Sequence, residues 1–168
     1  MESTKTRILK KLLETDGYLS GQELCEQLGV SRTAVWKYMK QLKEEGYEIE
    51  AVQNKGYCLK DVPDVLGESE IKSRLHTRWA GQTLYYYDEI DSTNTQIKRL
   101  AEEDAPHGTL AVADYQSRGK GRRGRAWDSP HGSAIYMSIL FRPEIRPDRA
   151  SMLTLVIGLS VTCLLYTS

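Results

Sequence analysis

The stretch S-G-Q-E-L-C-E-Q-L-G-V-S-R-T-A-V-W-K-Y-M-K-Q-L, residues 20–42, decides how the first part of the chain folds. Ser20 and Glu23 stand at the S-x-x-E spacing of a capping box, and Leu24 and Leu28 mark the buried face of the helix that follows. Gly29 supplies a left-handed turn residue, Val30 can plug the core, and Ser31 caps a second helix. Two helices joined by so short a glycine turn are the signature of a helix-turn-helix. In the second helix Val35, Met39 and Leu42 fall at i, i+4 and i+7 and should bury. Arg32, Thr33, Trp36, Lys37 and Lys40 share the opposite face, where cations and polar groups can meet phosphates and base edges in a major groove.

The reading extends outward in both directions. Upstream, Ile8, Leu9, Leu12 and Leu13 recur at helical spacing, and Asp16-Gly17 stops that helix. Downstream of Gly46, two strand-like runs, 47–52 and 57–60, are joined by Gln53-Asn54-Lys55-Gly56, a turn with the expected Asn and Gly. That hairpin completes a winged helix, with Lys55 at the wing tip. The expected DNA contacts are therefore Ser31, Arg32, Thr33, Trp36, Lys37, Lys40 and Lys55. A winged helix used for protein contacts is the rival reading, but an exposed face pairing cations with Thr33 and an aromatic favours DNA. One such module binds modestly, so a dimer on a two-part operator is expected. The segment D-V-P-D-V-L-G at 61–67 breaks the periodicity. It divides the chain into a DNA-binding domain over 1–62, a linker over 63–67 and a second domain over 68–168.

Composition narrows the partners. The chain has 168 residues, with Lys+Arg and Asp+Glu both 23, so its net charge is zero. Bulk charge cannot hold it on nucleic acid, and basic character must act locally. Cys25, Cys58 and Cys163 are widely spaced and odd in number, which suits reduced thiols in a cytoplasmic protein, not a disulfide framework. With His76, His107 and His131 also scattered, no metal site is expected. The N-terminus lacks the apolar core of a signal peptide. Residues 150–168 carry no charge, yet the run falls short of the ~20 residues a spanning helix needs. It reads as a buried helix, and no membrane association is expected.

The second domain centres on Q-S-R-G-K-G-R-R-G-R-A-W at 116–127. Arg118, Lys120, Arg122, Arg123 and Arg125 alternate with glycines there, and no acid intervenes before Asp128. Such a segment cannot form a core, so it should be loose and await an anion. Around it a short helix is expected at 69–75 and strands at 83–88, 108–113 and 133–141. A further helix carries Ile97, Leu100 and Ala101. E-I-D-S-T-N at 89–94 joins strand to helix, and Asp91, Ser92, Thr93 and Asn94 suit both capping and polar ligands. Polar caps facing a mobile cationic loop make a pocket.

I-D-S-T-N at 90–94, A-D-Y-Q-S-R-G-K-G-R-R-G-R-A-W at 113–127 and S-I-L-F-R-P at 138–143 resemble the motifs of the biotin protein ligases. With its winged helix the chain is similar to the bifunctional bacterial form, which is both biotin–acetyl-CoA-carboxylase ligase and biotin operon repressor. The resemblance runs from the first helix to about Val161. It implies an α+β fold: an N-terminal winged helix-turn-helix, then the N-terminal part of a class II synthetase-like mixed-sheet catalytic domain. It implies ATP-dependent formation of biotinyl-5′-AMP, with Mg2+ accompanying the nucleotide, and transfer of biotin to a lysine of the biotin carboxyl carrier protein of acetyl-CoA carboxylase. Operator DNA would be bound by a homodimer carrying biotinyl-5′-AMP.

By the same resemblance, biotin would be held by Ser92, Thr93, Asn94, Gln116, Lys120, Gly121 and Arg122, and the nucleotide by Arg122, Arg125 and Trp127. Arg122 and Lys120 would be catalytic. Lys120 stands where the family usually has Arg, so the charge is kept and the planar fork lost. The family's K-W-P-N-D segment, the lysine after it and a small C-terminal β-barrel have no counterpart, so the chain is expected to be an incomplete enzyme. The closing C-L-L-Y-T-S reads as translated adapter sequence. The alternative is a non-catalytic winged-helix regulator whose Arg-Gly segment is a nucleic-acid-binding arm.

Overall fold

The computed structural model describes residues 3–167, with only the backbone described at Arg122, Pro147 and Thr167. Three helices open the chain: α1 (Thr4–Glu14), α2 (Gly21–Leu28) and α3 (Arg32–Glu44). Ser3 and Ser31 cap the first and third, accepting hydrogen bonds from the amides of Thr6 and Ala34. Ser20 caps the second through the amide of Gln22. The expected capping box does not close, because Glu23 instead accepts from Gln27 one turn on. Gly29 takes the left-handed conformation at φ 67° and returns its amide to the Cys25 carbonyl. One apolar stripe from each helix then meets in a common core of Ile8, Leu9, Leu24, Val35, Met39 and Leu42. Each such burial stabilises by roughly 1.5–3 kcal/mol before chain entropy is counted.

A hairpin of β1 (Glu48–Val52) and β2 (Gly56–Asp61) closes the winged helix. Its turn needs positive φ at Asn54 (66°) and Gly56 (109°). A third short strand position lies before α2, where Leu19 and Tyr57 exchange both backbone hydrogen bonds at 2.7 and 2.9 Å. Gly56 is fixed twice over there, since a Cβ on it would lie 2.2 Å from the Leu19 carbonyl oxygen.

Beyond the expected linker, α4 (Glu68–Arg74) packs against α1, and Tyr47 donates to the Glu70 carboxylate at 2.7 Å. Ile71 of α4 also belongs to a second core with Leu66, Leu84, Tyr86, Leu110 and Val112. This core lies on one face of a mixed sheet ordered β3 (Leu84–Ile90), β4 (Leu110–Gln116), β7 (Tyr136–Ile139), with β3 parallel to β4 and β4 antiparallel to β7. The other face carries α5 (Thr93–Glu102), whose Ile97 and Leu100 pack on Ala111. The strand expected over 133–141 is shortened to the four residues of β7.

Two expectations fail here. Residues 116–127 are not a loose loop: β5 (Gly119–Lys120) and β6 (Ala126–Trp127) pair antiparallel around a 3-10 turn, with the Gly121 amide 2.8 Å from the Arg125 carbonyl oxygen. Repulsion among the cations does not prevent this, because Lys120, Arg123 and Arg125 all project into solvent. The helix at the end of the chain, α6 (Ser151–Thr167), forms as expected but is exposed, not buried. Leu155 is 75% accessible and Leu159 66%. No residue of α6 joins the two apolar clusters on the sheet among the described residues, while Met137 of β7 stays 53% accessible.

Candidate functional site

The end of β3, the start of α5 and the end of β4 converge, because β3 and β4 are parallel and both point their C-terminal ends the same way. This is where open sheets of parallel strands place ligand sites. Gln116, the last residue of β4, accepts through Oε1 from the Thr93 amide at 2.8 Å and from the Thr93 hydroxyl at 3.1 Å. Its Nε2 donates to Ser129 Oγ at 3.0 Å, and Ser138 on β7 donates to Thr93 Oγ1 at 3.0 Å. Asn94, exposed, lies 3.3 Å from the same Ser138 hydroxyl. A chain of side-chain hydrogen bonds thus ties three strand ends and one helix start into a single polar floor.

Ser92 stands apart from that network. It is 1% accessible, yet its hydroxyl has no hydrogen-bond partner among the described residues, and Thr95 Oγ1 shares this condition. A buried hydroxyl without a partner costs about 1–3 kcal/mol, so it marks a place where a ligand atom would be welcome.

The cationic hairpin is anchored to the same turn. The Ser117 amide donates to the Ile90 carbonyl at 2.9 Å and the Arg118 amide to the Asp91 carbonyl at 2.8 Å. Gly119 lies where a Cβ would come within 2.4 Å of the Trp127 carbonyl oxygen and 2.8 Å of Ser129 Oγ, so only glycine lets the hairpin pass. Lys120, Arg125 and Trp127 are exposed on it, Trp127 at 62%, and Gly121 is half-buried. The side chain of Arg122 lies outside the described residues.

Electrostatics favour anions at this end of the sheet. Partial burial alone would raise the Asp91 carboxyl, but the Ser92 amide, the Arg99 guanidinium and the charge of Lys120 together hold it below the ordinary aspartate range. Asp114 is held down chiefly by His131, 2.7 Å away, with help from the Gly132 amide. Among the described residues no cluster of three or more His, Cys, Asp or Glu is placed to hold a metal ion.

Reasoning from residues alone missed Ser129 and Ser138, which complete the floor, and Arg99, which braces Asp91 beside it. Ser138 lies inside the S-I-L-F-R-P motif, but only the β4–β7 register of Ala111 opposite Ser138 brings it to Thr93. No local signal marks Ser129.

The winged helix offers a separate surface. A cleft of about 420 Å³ runs between the start of α2, Arg32 and the wing residues 51–57. Arg32 donates to Gln22 at 2.6 Å, which holds its guanidinium at the cleft edge. Thr33, Trp36 and Lys37 are exposed, Trp36 at 61%, and Lys40 pairs loosely with Glu44 at 3.7 Å. Ser31 spends its hydroxyl on capping α3, and the Lys55 ammonium sits 5.6 Å from the centroid of the Tyr18 ring. Along α3, Thr33, Trp36, Lys37 and Lys40 are exposed while Val35, Met39 and Leu42 are buried.

Comparison with known proteins separates the same two parts. Residues 4–58 match the HTH domain family, and residues 86–167 match the Biotin/lipoate A/B protein ligase family. The chain is 45% identical over 163 residues to the bifunctional ligase/repressor BirA of Bacillus spizizenii, covering 96% of this chain and 50% of that protein. The chain belongs to the biotin protein ligase family. The bifunctional ligase/repressors BirA of Bacillus subtilis (44% identity, 96% of this chain, 50% of that protein) and Escherichia coli (37%, 88%, 44%) align in the same two-part order. The chain spans about half the length of the curated relatives it matches. A solved biotin protein ligase from Aquifex aeolicus in complex with biotin and ATP overlaps 38% of this chain and 25% of its own, at 40% identity and a TM-score of 0.32. The α+β fold, a helix-turn-helix domain preceding biotin ligase elements, is that of the family.

Proposed function

We propose that the chain serves in an ATP-dependent biotin protein ligase that doubles as a cytoplasmic transcriptional repressor of biotin genes. In the first step a biotin carboxylate oxygen attacks the α-phosphorus of ATP, the bond to the β-phosphate bridging oxygen breaks, and pyrophosphate leaves. In the second, a lysine amine of a biotin carboxyl carrier protein attacks the acyl carbon of biotinyl-5′-AMP, expels AMP and loses a proton. An anion approaching a polyanion meets repulsion, which Lys120, Arg122 and Arg125 would offset together with Mg2+ arriving on the nucleotide. No covalent enzyme nucleophile is required, so positioning and electrostatics carry the chemistry.

The observation that carries this reading is the joining of a polar floor to a cationic hairpin. Ser92, Thr93 and Gln116 supply directional hydrogen bonds of the kind a ureido or carboxylate group needs, and the hairpin grows out of the same turn. Asn94 and Gly121 border this floor, and Trp127, exposed beside Arg125, suits the nucleotide side. An Arg-Gly arm for nucleic acid would hang free, whereas this hairpin is bonded to Ile90 and Asp91. DNA contact falls to Arg32 at the winged-helix cleft and to Thr33, Trp36 and Lys37 on the exposed face of α3, with biotinyl-5′-AMP as co-repressor of a homodimer.

Biotin-dependent exchange of labelled pyrophosphate into ATP tests the first step. It should be measured on this chain and on the chain joined to the second half of the Bacillus subtilis relative. Exchange in either supports the reading, and its absence from both, with the fusion folded, overturns it.

A further inference from the structure

Among the described residues four serines hold the N-cap position of an α-helix, and one behaves differently. Ser3, Ser20 and Ser31 have φ of −68°, −64° and −74°, and each side chain accepts a backbone amide of the first turn. Ser92 precedes α5 at φ −166°, and its side chain makes no capping bond. Its hydroxyl is buried and without a partner. A serine here would ordinarily fold back and cap, which stabilises a helix.

The preceding residue explains the difference. Asp91 Oδ1 accepts the Ser92 amide at 2.7 Å, and Asp91 Oδ2 accepts from Arg99 Nη2 at 2.8 Å, two turns along α5. The carboxylate is thus clamped between the backbone of Ser92 and a side chain of the helix that Ser92 begins. This clamp holds Ser92 extended and keeps its hydroxyl out of the cap. The same residue's carbonyl accepts from the Arg118 amide, so one aspartate fixes both the buried serine and the root of the cationic hairpin.

We infer that Asp91, braced by Arg99, is a positioning residue for ligand binding: it holds the Ser92 hydroxyl uncapped so that the hydroxyl bonds biotin. The inference rests on the proposed biotin site. It predicts that Asp91 acts through Ser92, which a double-mutant cycle reads directly.

Biotin affinity is measured by titration calorimetry on the whole chain, alongside the thermal midpoint of each variant. Ser92→Ala should weaken biotin about fivefold to tenfold, the worth of one hydrogen bond. Asp91→Ala should weaken it about fivefold in the native background and by less than about twofold in the Ser92→Ala background. Any loss of thermal stability from Asp91→Ala should persist in both backgrounds, so a merely structural role would not give this pattern. Arg99→Ala, on the exposed side of α5, should show the same non-additivity at smaller amplitude, and it serves if Asp91→Ala does not fold. Equal losses in both backgrounds, or no loss in either, overturn the inference while leaving the biotin site standing. A native chain that binds no biotin at all overturns the site, and the inference with it.

Discussion

Asp114 sits where the hairpin's exit is fastened to β4: His131 Nδ1 lies 2.7 Å from one carboxylate oxygen and the Gly132 amide 3.1 Å from the other. Its folded pKa is lowered, so the stability it contributes is complete above the ordinary aspartate value of 3.8 and is lost as pH falls through the folded value. Asp114→Asn should therefore flatten the decline of the urea midpoint as pH falls below about 4. An equally steep decline in the variant would show that other groups carry the acid sensitivity. Gly56 makes a sharper case. Alanine there would need φ near 109° and would drive its Cβ into the Leu19 carbonyl. Gly56→Ala should cost about 2–4 kcal/mol in chemical denaturation, summing left-handed strain and backbone clash. How residues read from sequence alone divides along the same line. Gly29, Gly56 and Ser31 declare themselves through local turn and cap rules, whereas Ser129 has no meaning until Gln116 reaches it from β4.

At the scale of elements, α3 is the most completely legible. Its buried stripe and exposed cations follow from a 3.6-residue period and need no knowledge of the rest of the fold. Lys37 is exposed on the cationic face and has no role in the core. If the winged helix grips DNA through phosphates, Lys37→Gln should reduce the slope of log K against log salt by about 0.9 on a mixed-sequence duplex, with the thermal midpoint unchanged. An unchanged slope would remove Lys37 from the interface. The hairpin β5–β6 was illegible for the opposite reason: its pairing depends on Gly119 slipping past Trp127 and Ser129, a contact across the turn that composition does not encode. A glycine-rich cationic run reads as loose until that close passage is known.

Across the whole molecule, the helix that each face of the sheet receives and the order of its strands are consequences of long-range packing. The expectation of a buried final helix failed because periodicity reports that a segment is apolar, not which surface remains for it. The linker was read as a break between domains, but the helix after it is shared. Tyr47 of the winged helix donates to Glu70 of α4, and burial followed by that bond raises the tyrosine pKa strongly. A raised folded value means that this share of stability is present below the unfolded value of 10.0 and is lost as pH rises through the folded one. Tyr47→Phe should cost about 1–2 kcal/mol near neutrality and should blunt alkaline unfolding. A variant as alkali-sensitive as the native chain would move that role elsewhere.

Seven residues long, α4 is too short to stand as a helix by itself, and it borrows its stability from two cores at once. Ile71 is seated against the sheet whose parallel strands end at Ile90 and Gln116, while Glu70 is tied to the module that ends in the wing. The helix-turn-helix part and the sheet therefore lean on one shared seat, and that seat is about two turns of helix.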